Sequence, residues 1–316
     1  MNYNKNIAKI KNMEIKKLPN LDESVLAALD FFQTQPVCHH SWPKSSLCFV
    51  VGSVNAYHTG RMLFAGRQVI FADEGNFLEL LKIYQPLIKS KNITEAIVIS
   101  ASGEKDSIWE IKEAKKAGLK TTLITCGQNS SGAALANNVI VSQKFPEPYS
   151  YNYSTYLGMI LGQTGEDVKA IKKFLQKLKI PASFKKHSYF TFILPDKFKA
   201  IVDMLKVKDD EMFGPYSSLR AFSEGNARHA KFICESKQEL VISFGKNIYF
   251  GLPGHRWDIK LPPNSNFGFI LSLSYYLAGR IQTQRPPYFK KGIKKYCLQT
   301  GPAPYGRKEP FSVIVK

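Results

Sequence analysis

The chain has 316 residues, 44% of them hydrophobic and 22% charged, enough for a large core in about one to three domains. Lysine and arginine outnumber aspartate and glutamate 44 to 25, a formal charge of +19 that favours anionic ligands. No helix-turn-helix, zinc-finger or RNP pattern accompanies that charge, which argues against a dedicated nucleic-acid protein. No apolar run approaches the roughly 20 residues that cross a bilayer, and the N-terminus lacks the apolar centre of a secretory signal. The cysteines, Cys38, Cys48, Cys126, Cys234 and Cys297, show no CxxC spacing, so a reducing cytoplasm is expected rather than disulfides or zinc.

Residues 1–20 form a lysine-rich arm. Leu21 to Pro36 reads as a helix, with Asp22 or Ser24 as cap and Leu26, Leu29 and Phe32 along one side; Pro36 ends it. Ser45 to Val51 reads as a strand, followed by the small-residue turn Gly52-Ser53-Val54-Asn55 and a helix through Tyr57, Met62 and Leu63. A strand at Gln68 to Ala72 precedes a helix from Asn76 to Ser90, bent at Pro86.

The stretch from Thr94 to Val141 is the most informative. An apolar run, Ala96 to Ile99, ends in Ser100-Ala101-Ser102-Gly103-Glu104-Lys105-Asp106-Ser107. A helical pattern through Ile108, Ile111 and Ala114 closes at Gly118, and Thr121 to Thr125 is a second β-rich run. Two parallel strands joined this way need a right-handed crossover helix. Hydroxyls and unpaired N–H groups at the start of that helix form an anion site, because free donors and helix dipole point the same way. The turn therefore reads as a phosphate cradle built from Ser100, Ser102, Ser107 and the N–H groups around Gly103, with Lys105 as a point charge. Ser53 and Asn55 on the earlier turn are candidate second contacts; as turn formers they have an alternative, structural explanation. Both turns fall at the carboxyl edge of an alternating β/α pattern, where doubly wound sheets bind ligands.

A loop from Ser142 to Tyr149 leads to helices at Ser154 to Thr164 and Val168 to Leu178. A second alternation follows: a strand at Tyr189 to Leu194, a helix at Lys197 to Lys206, a turn at Met212 to Ser218 and a helix at Leu219 to Ile233. Strands at Leu240 to Ser243 and Asn247 to Leu252, a helix at Phe269 to Gln282 and a basic, proline-rich tail complete the chain. His39, His40 and His58 lack ligand spacing with cysteines or carboxylates, so no metal is expected.

Ile99 to Ser107, ISASGEKDS, resembles the SxSGxT loop of sugar isomerase (SIS) domain proteins, one residue shorter than usual, and Gly52-Ser53 resembles their first substrate loop. The layout is similar to a tandem pair of SIS domains, as in the isomerase half of glucosamine-6-phosphate synthase and in phosphoglucose/phosphomannose isomerases. The resemblance implies two doubly wound, flavodoxin-like α/β subdomains, at 21–180 and 187–295, with a tail at 296–316. It implies a phosphosugar-binding protein, an aldose–ketose isomerase acting on a hexose or aminohexose phosphate through an enediol. It also implies a sugar phosphate as partner, a homo-oligomer, no cofactor, and neither membrane nor nucleic acid. Glu224, in Leu219 to Lys231, falls at the acidic catalytic position, and Lys291, in Ser274 to Gly292, at the lysine position. His229 and His255 are available as acid or ring-opening group. Lys231 stands where the aminosugar isomerases carry a second glutamate, and no histidine matches cleanly. A non-catalytic phosphosugar sensor and a fructosamine-phosphate deglycase are the alternatives on the same scaffold.

Overall fold

The computed structural model describes residues 18–35, 37 and 47–316, so most of the lysine-rich arm and the His39-His40 pair lie outside the described residues. The chain divides into two compact units, and neither is continuous in sequence. One comprises 35–144 and 155–166; the other comprises 1–34, 145–154 and 167–316. Helix α1 (Leu21–Thr34) thus belongs to the unit that holds most of the C-terminal half.

The first-described unit is a five-stranded, fully parallel sheet. Its strands are β1 (Cys48–Gly52), β2 (Val69–Ala72), β3 (Glu95–Ile99), β4 (Lys120–Thr125) and β5 (Asn138–Val141), in the spatial order β2-β1-β3-β4-β5. The connections carry α2 (Asn55–Leu63), α3 (Phe77–Ile83), α4 (Gln85–Lys89), α5 (Asp106–Lys116) and α6 (Ser131–Leu135). β1 and β3 are buried almost throughout because both faces are covered by helices, which is why they read as apolar runs rather than alternating strands. Phe49 and Val51 meet Ala96, Val98, Phe77, Ile111 and Ala114 in one core. The expected bend at Pro86 is a break between α3 and α4, with proline at the start of the new helix, where its missing N–H costs nothing.

The strand order is that of a doubly wound flavodoxin-type sheet. The chain leaves β1 toward one edge, returns to β3 on the other side of β1, and then proceeds outward. The β1/β3 boundary is the topological switch point, where the two connections diverge and open a crevice beyond the carboxyl ends of the strands.

In the other unit, β6 (Glu147–Pro148) precedes α7 (Tyr153–Thr164), which crosses the boundary between the units, and α8 (Val168–Lys177). The parallel strands are β7 (Tyr189–Leu194), β8 (Leu219–Ser223), β9 (Glu239–Phe244) and β10 (Arg256–Ile259), in the order β10-β9-β7-β8. Helices α9 (Lys199–Phe213), α10 (Glu224–Ala230), α11 (Phe267–Gln282) and α12 (Tyr288–Lys295) complete it. Helices α1 and α11 touch at Gly279, where an added Cβ would lie 2.0 Å from the Asp22 backbone nitrogen. Arg280, one residue on, reaches Asp22 at 3.2 Å.

Two expectations from the sequence need correction here. The segment expected as one helix over Leu219 to Ile233 is a strand followed by a two-turn helix. Leu219, Ala221 and Ser223 are buried and Arg220 is exposed, the period of a strand, and Ser223 caps α10 by accepting from the Asn226 N–H at 3.4 Å. Asn247 to Leu252, expected as a strand, is a turn in which the Asn247 side chain takes the N–H groups of Tyr249 and Phe250; the strand forms at β10 instead. The proline-rich tail is folded against its unit: Cys297 is fully buried, Phe311 stacks on Tyr149 at 5.1 Å, and β11 (Ile314–Val315) pairs with β6. Among the described residues, no helix is long and apolar enough to cross a membrane.

Candidate functional site

Two turns flank the β1/β3 switch point, and they share an unusual backbone. Each ends in a non-glycine residue at positive φ immediately before a helix: Val54 (φ 49°, ψ −110°) before α2, and Lys105 (φ 59°, ψ −123°) before α5. This is the conformation that type II′ turns usually reserve for glycine, and it is costly for a side-chain-bearing residue. Strain of this kind persists where the surroundings over-determine it, and it concentrates at ligand clamps.

Inside the longer turn the serines divide into two kinds. Ser100 Oγ accepts from the Gly103 N–H at 3.1 Å and Ser102 Oγ accepts from the Glu104 N–H at 3.3 Å. Both hydroxyls are used as acceptors, so each keeps its O–H for a ligand. Ser107 is only 2% exposed and donates to the Glu104 carbonyl at 2.9 Å, which spends its proton on the turn itself. Gly103 (φ +67°) is held between neighbours, and an added Cβ would lie 2.0 Å from Ser130 Oγ. Ser130, which caps α6, is therefore part of the wall that shapes the turn. Glu104 accepts from the Ser131 N–H at 2.9 Å and from the Ser131 hydroxyl at 3.2 Å, tying the turn to the start of α6.

The shorter turn is joined to the longer one. Ser53 Oγ lies 3.5 Å from Asp106 Oδ2, and Asp106 Oδ1 accepts from Trp109 Nε1 at 3.3 Å. Asn55 is 5% exposed, and its Oδ1 is buried without a hydrogen-bond partner. A buried amide oxygen left unsatisfied costs free energy, so its place at a switch-point turn marks a position where a ligand donor would be stabilising. Ser53, Asn55, Ser100, Ser102, Gly103, Lys105 and Ser107 thus lie in one unit at one sheet edge. Sequence reasoning missed Asp106, Ser130 and Glu104; all three lie in or just after the serine-rich stretch or at the next small-residue turn.

The four candidates expected to act on the substrate all lie in the other unit. Glu224 is the first residue of α10, directly beyond the carboxyl end of β8, and it is exposed. Next to it, Asp196 accepts from the Gly225 N–H at 2.8 Å; hydrogen bonds from Ser223 and Gly225 hold its carboxyl below the ordinary range. His229 is exposed in the last turn of α10 and Lys291 is exposed on α12. His255 lies at the opposite end of the sheet: it precedes β10, and its carbonyl accepts from Val241 near the start of β9. There it meets the buried His187, whose Nε2 is 2.9 Å from His255 Nδ1. His187 Nδ1 is 2.8 Å from the Ser183 carbonyl, so Nδ1 carries the proton. In the neutral rings His187 Nε2 then accepts from His255 Nδ1, leaving His255 Nε2 unprotonated. Glu224 and His255 therefore stand at opposite ends of strands five to six residues long and do not meet within this unit. Among the described residues no cluster of histidine, cysteine and carboxylate side chains could hold a metal.

No protein-family model matches this sequence, and no curated protein matches it. Solved structures do match its fold. The chain is similar to the C-terminal domain of glucosamine-fructose-6-phosphate aminotransferase from Francisella tularensis, at 13% identity and a TM-score of 0.55 over 87% of this chain and 94% of that one. It is similar to tagatose-6-phosphate ketose/aldose isomerase from Escherichia coli, at 10% identity and 0.54 over 84% and 89%. It is also similar to glucosamine-6-phosphate deaminase from Thermotoga maritima, at 14% identity and 0.52 over 83% and 92%. The chain has an SIS-type doubly wound fold. At these identities the likeness concerns the fold alone, and the chemistry has to be argued from the turns.

Proposed function

We propose that this protein binds a sugar phosphate at the β1/β3 switch point and acts on it as an aldose–ketose isomerase. The observation that carries the binding is the pair of strained turns, 52–55 and 100–107, with the unspent O–H groups of Ser100 and Ser102 and the orphaned Asn55 oxygen at the start of α2. A phosphate held there would anchor the non-reacting end of the substrate and supply binding energy that orients the reacting carbons. In the isomerisation a base takes the proton from C2 of the aldose, an enediol forms, and the proton returns to C1 to give the ketose. Glu224 is the proposed base, with Lys291 and a histidine as assisting groups, and a homo-oligomer is the proposed assembly.

One observation favours the sensor reading instead. A glutamate that acts as base near neutral pH is usually raised by partial burial, whereas Glu224 is exposed in this chain. Calorimetry with fructose 6-phosphate, glucose 6-phosphate and mannose 6-phosphate, paired with a coupled isomerase assay, separates the possibilities. Binding with turnover that is lost in Glu224→Gln supports the isomerase, and binding without turnover supports the sensor. A protein that binds none of the three would sink both. Ser102→Ala should weaken binding about tenfold or more, the usual worth of a hydrogen bond to a charged group.

A further inference from the structure

The amino edge of the second sheet carries a cavity that the proposed function does not use. It has a volume of about 270 Å³ and is lined by Tyr189, Phe190, Ser217, Ser218, Arg220, Cys234, Ser236 and Glu239. Tyr189 and Glu239 open β7 and β9, and Ser217 and Ser218 lead into β8, so the cavity lies at the end of the sheet away from the edge where such folds bind ligands. Strand register puts Tyr189 beside Glu239, and Thr191 beside Arg220, on one face.

The chemistry of its floor is specific. Glu239 is 7% exposed, and its Oε1 accepts from both Arg220 and Thr191, each at 2.5 Å. Both bonds fall on one oxygen, which leaves Oε2 as an acceptor. The Arg220 guanidinium is half exposed, lies 5.8 and 5.5 Å from the Phe222 and Phe232 ring centres, and spends Nη2 on Glu239, so its remaining N–H groups are donors. Ser236 Oγ accepts from the Gln238 N–H and keeps its O–H, whereas Ser217 and Ser218 have donated theirs and keep lone pairs. The Tyr189 ring is 49% exposed and offers an apolar surface. Donors and acceptors are therefore both present on a floor whose formal charges cancel. A free anion would face the Glu239 carboxylate, and an apolar ligand would leave the polar groups unpaired.

We propose that this cavity binds one neutral polyhydroxylated ring, an unphosphorylated monosaccharide or cyclic polyol. Vicinal hydroxyls both donate and accept, so they match the Arg220–Glu239 pair and the serines, while the C–H face of the ring covers Tyr189. The volume falls just below that of pockets for drug-sized ligands, which fits a single ring.

Cys234 reports occupancy directly. It lines the cavity and is exposed, whereas burial pushes the Cys48 and Cys297 thiols up to about 11 and about 12 and leaves them inert. The full chain is treated with iodoacetamide alone, or with D-glucose, D-mannose, myo-inositol or inorganic phosphate, and alkylation of the Cys234 peptide is followed by mass spectrometry. A neutral ring at about ten times its dissociation constant should slow Cys234 alkylation about tenfold. Tyr189→Ser, which removes the apolar face but leaves the Arg220–Glu239 pair in place, should lose the protection when compared with its own unliganded rate. The proposal is overturned if no neutral ring protects Cys234, if phosphate protects it equally well, or if Tyr189→Ser is protected like the wild type. None of these outcomes depends on whether the serine-rich turn binds a sugar phosphate.

Discussion

Replacing Glu110 with glutamine should remove a pH dependence of stability that is built into α5, the helix after the serine-rich turn. Glu110 lies one turn into α5, is 1% exposed, and has Oε1 without a hydrogen-bond partner. Burial first, then the charges of Asp106, Glu74 and Asp73, push its carboxyl from an ordinary 4.5 up to about 8. The native state therefore holds this proton more tightly than the unfolded chain. The stability contributed by neutral Glu110 is fully present below pH 4.5 and is lost as pH rises through about 8. At about 1.4 kcal/mol per pH unit the loss over that window reaches about 5 kcal/mol. Glutamine cannot ionise but brings an amide to the same buried place, at a cost of about 1–3 kcal/mol. Near pH 5 the variant should be less stable by about that amount, and at pH 8 it should be more stable by about 2–4 kcal/mol. Urea unfolding followed by tryptophan fluorescence at both pH values measures the crossing. If the two proteins lose stability in parallel between them, Glu110 is not the titrating group.

Gly103→Ala should abolish sugar-phosphate binding while leaving most of the fold intact, because the new Cβ would displace Ser130 and distort the turn; calorimetry read beside circular dichroism distinguishes the two. Arg280→Met should destabilise the protein by about 2 kcal/mol, less than a fully buried pair would cost because Arg280 is 38% exposed, and the deficit should shrink on acidification as Asp22 takes up a proton.

The local structure of the two turns was legible because its signals are local. A small-residue turn between an apolar run and a helical pattern specifies backbone geometry within ten residues, and both turns at 52–55 and 100–107 are where the composition placed them. Short-range patterns failed where two structures compete over a few residues. Leu219 to Ile233 carries apolar residues that satisfy a helix, but burial beside β7 selects the strand period up to Ser223, and only then does the cap start α10. Asn247 to Leu252 looks β-rich, yet the Asn247 amide captures two backbone N–H groups before a ladder can form.

The sequence alone determined that the chain alternates β and α, that its charge favours anions, and that a serine-rich turn at Ser100 to Ser107 opens a helix. Periodicity, turn chemistry and composition act over a few residues and survive without the fold. Only the tertiary structure decided the strand orders, and hence that the two turns flank a switch point, since strand neighbours are chosen by packing across tens of residues. It alone separated Ser100 and Ser102, whose protons remain available, from Ser107, whose proton is spent, and set Glu224 and His255 at opposite ends of one sheet. Which hydrogen bonds a side chain has already made depends on neighbours that the linear chain does not name.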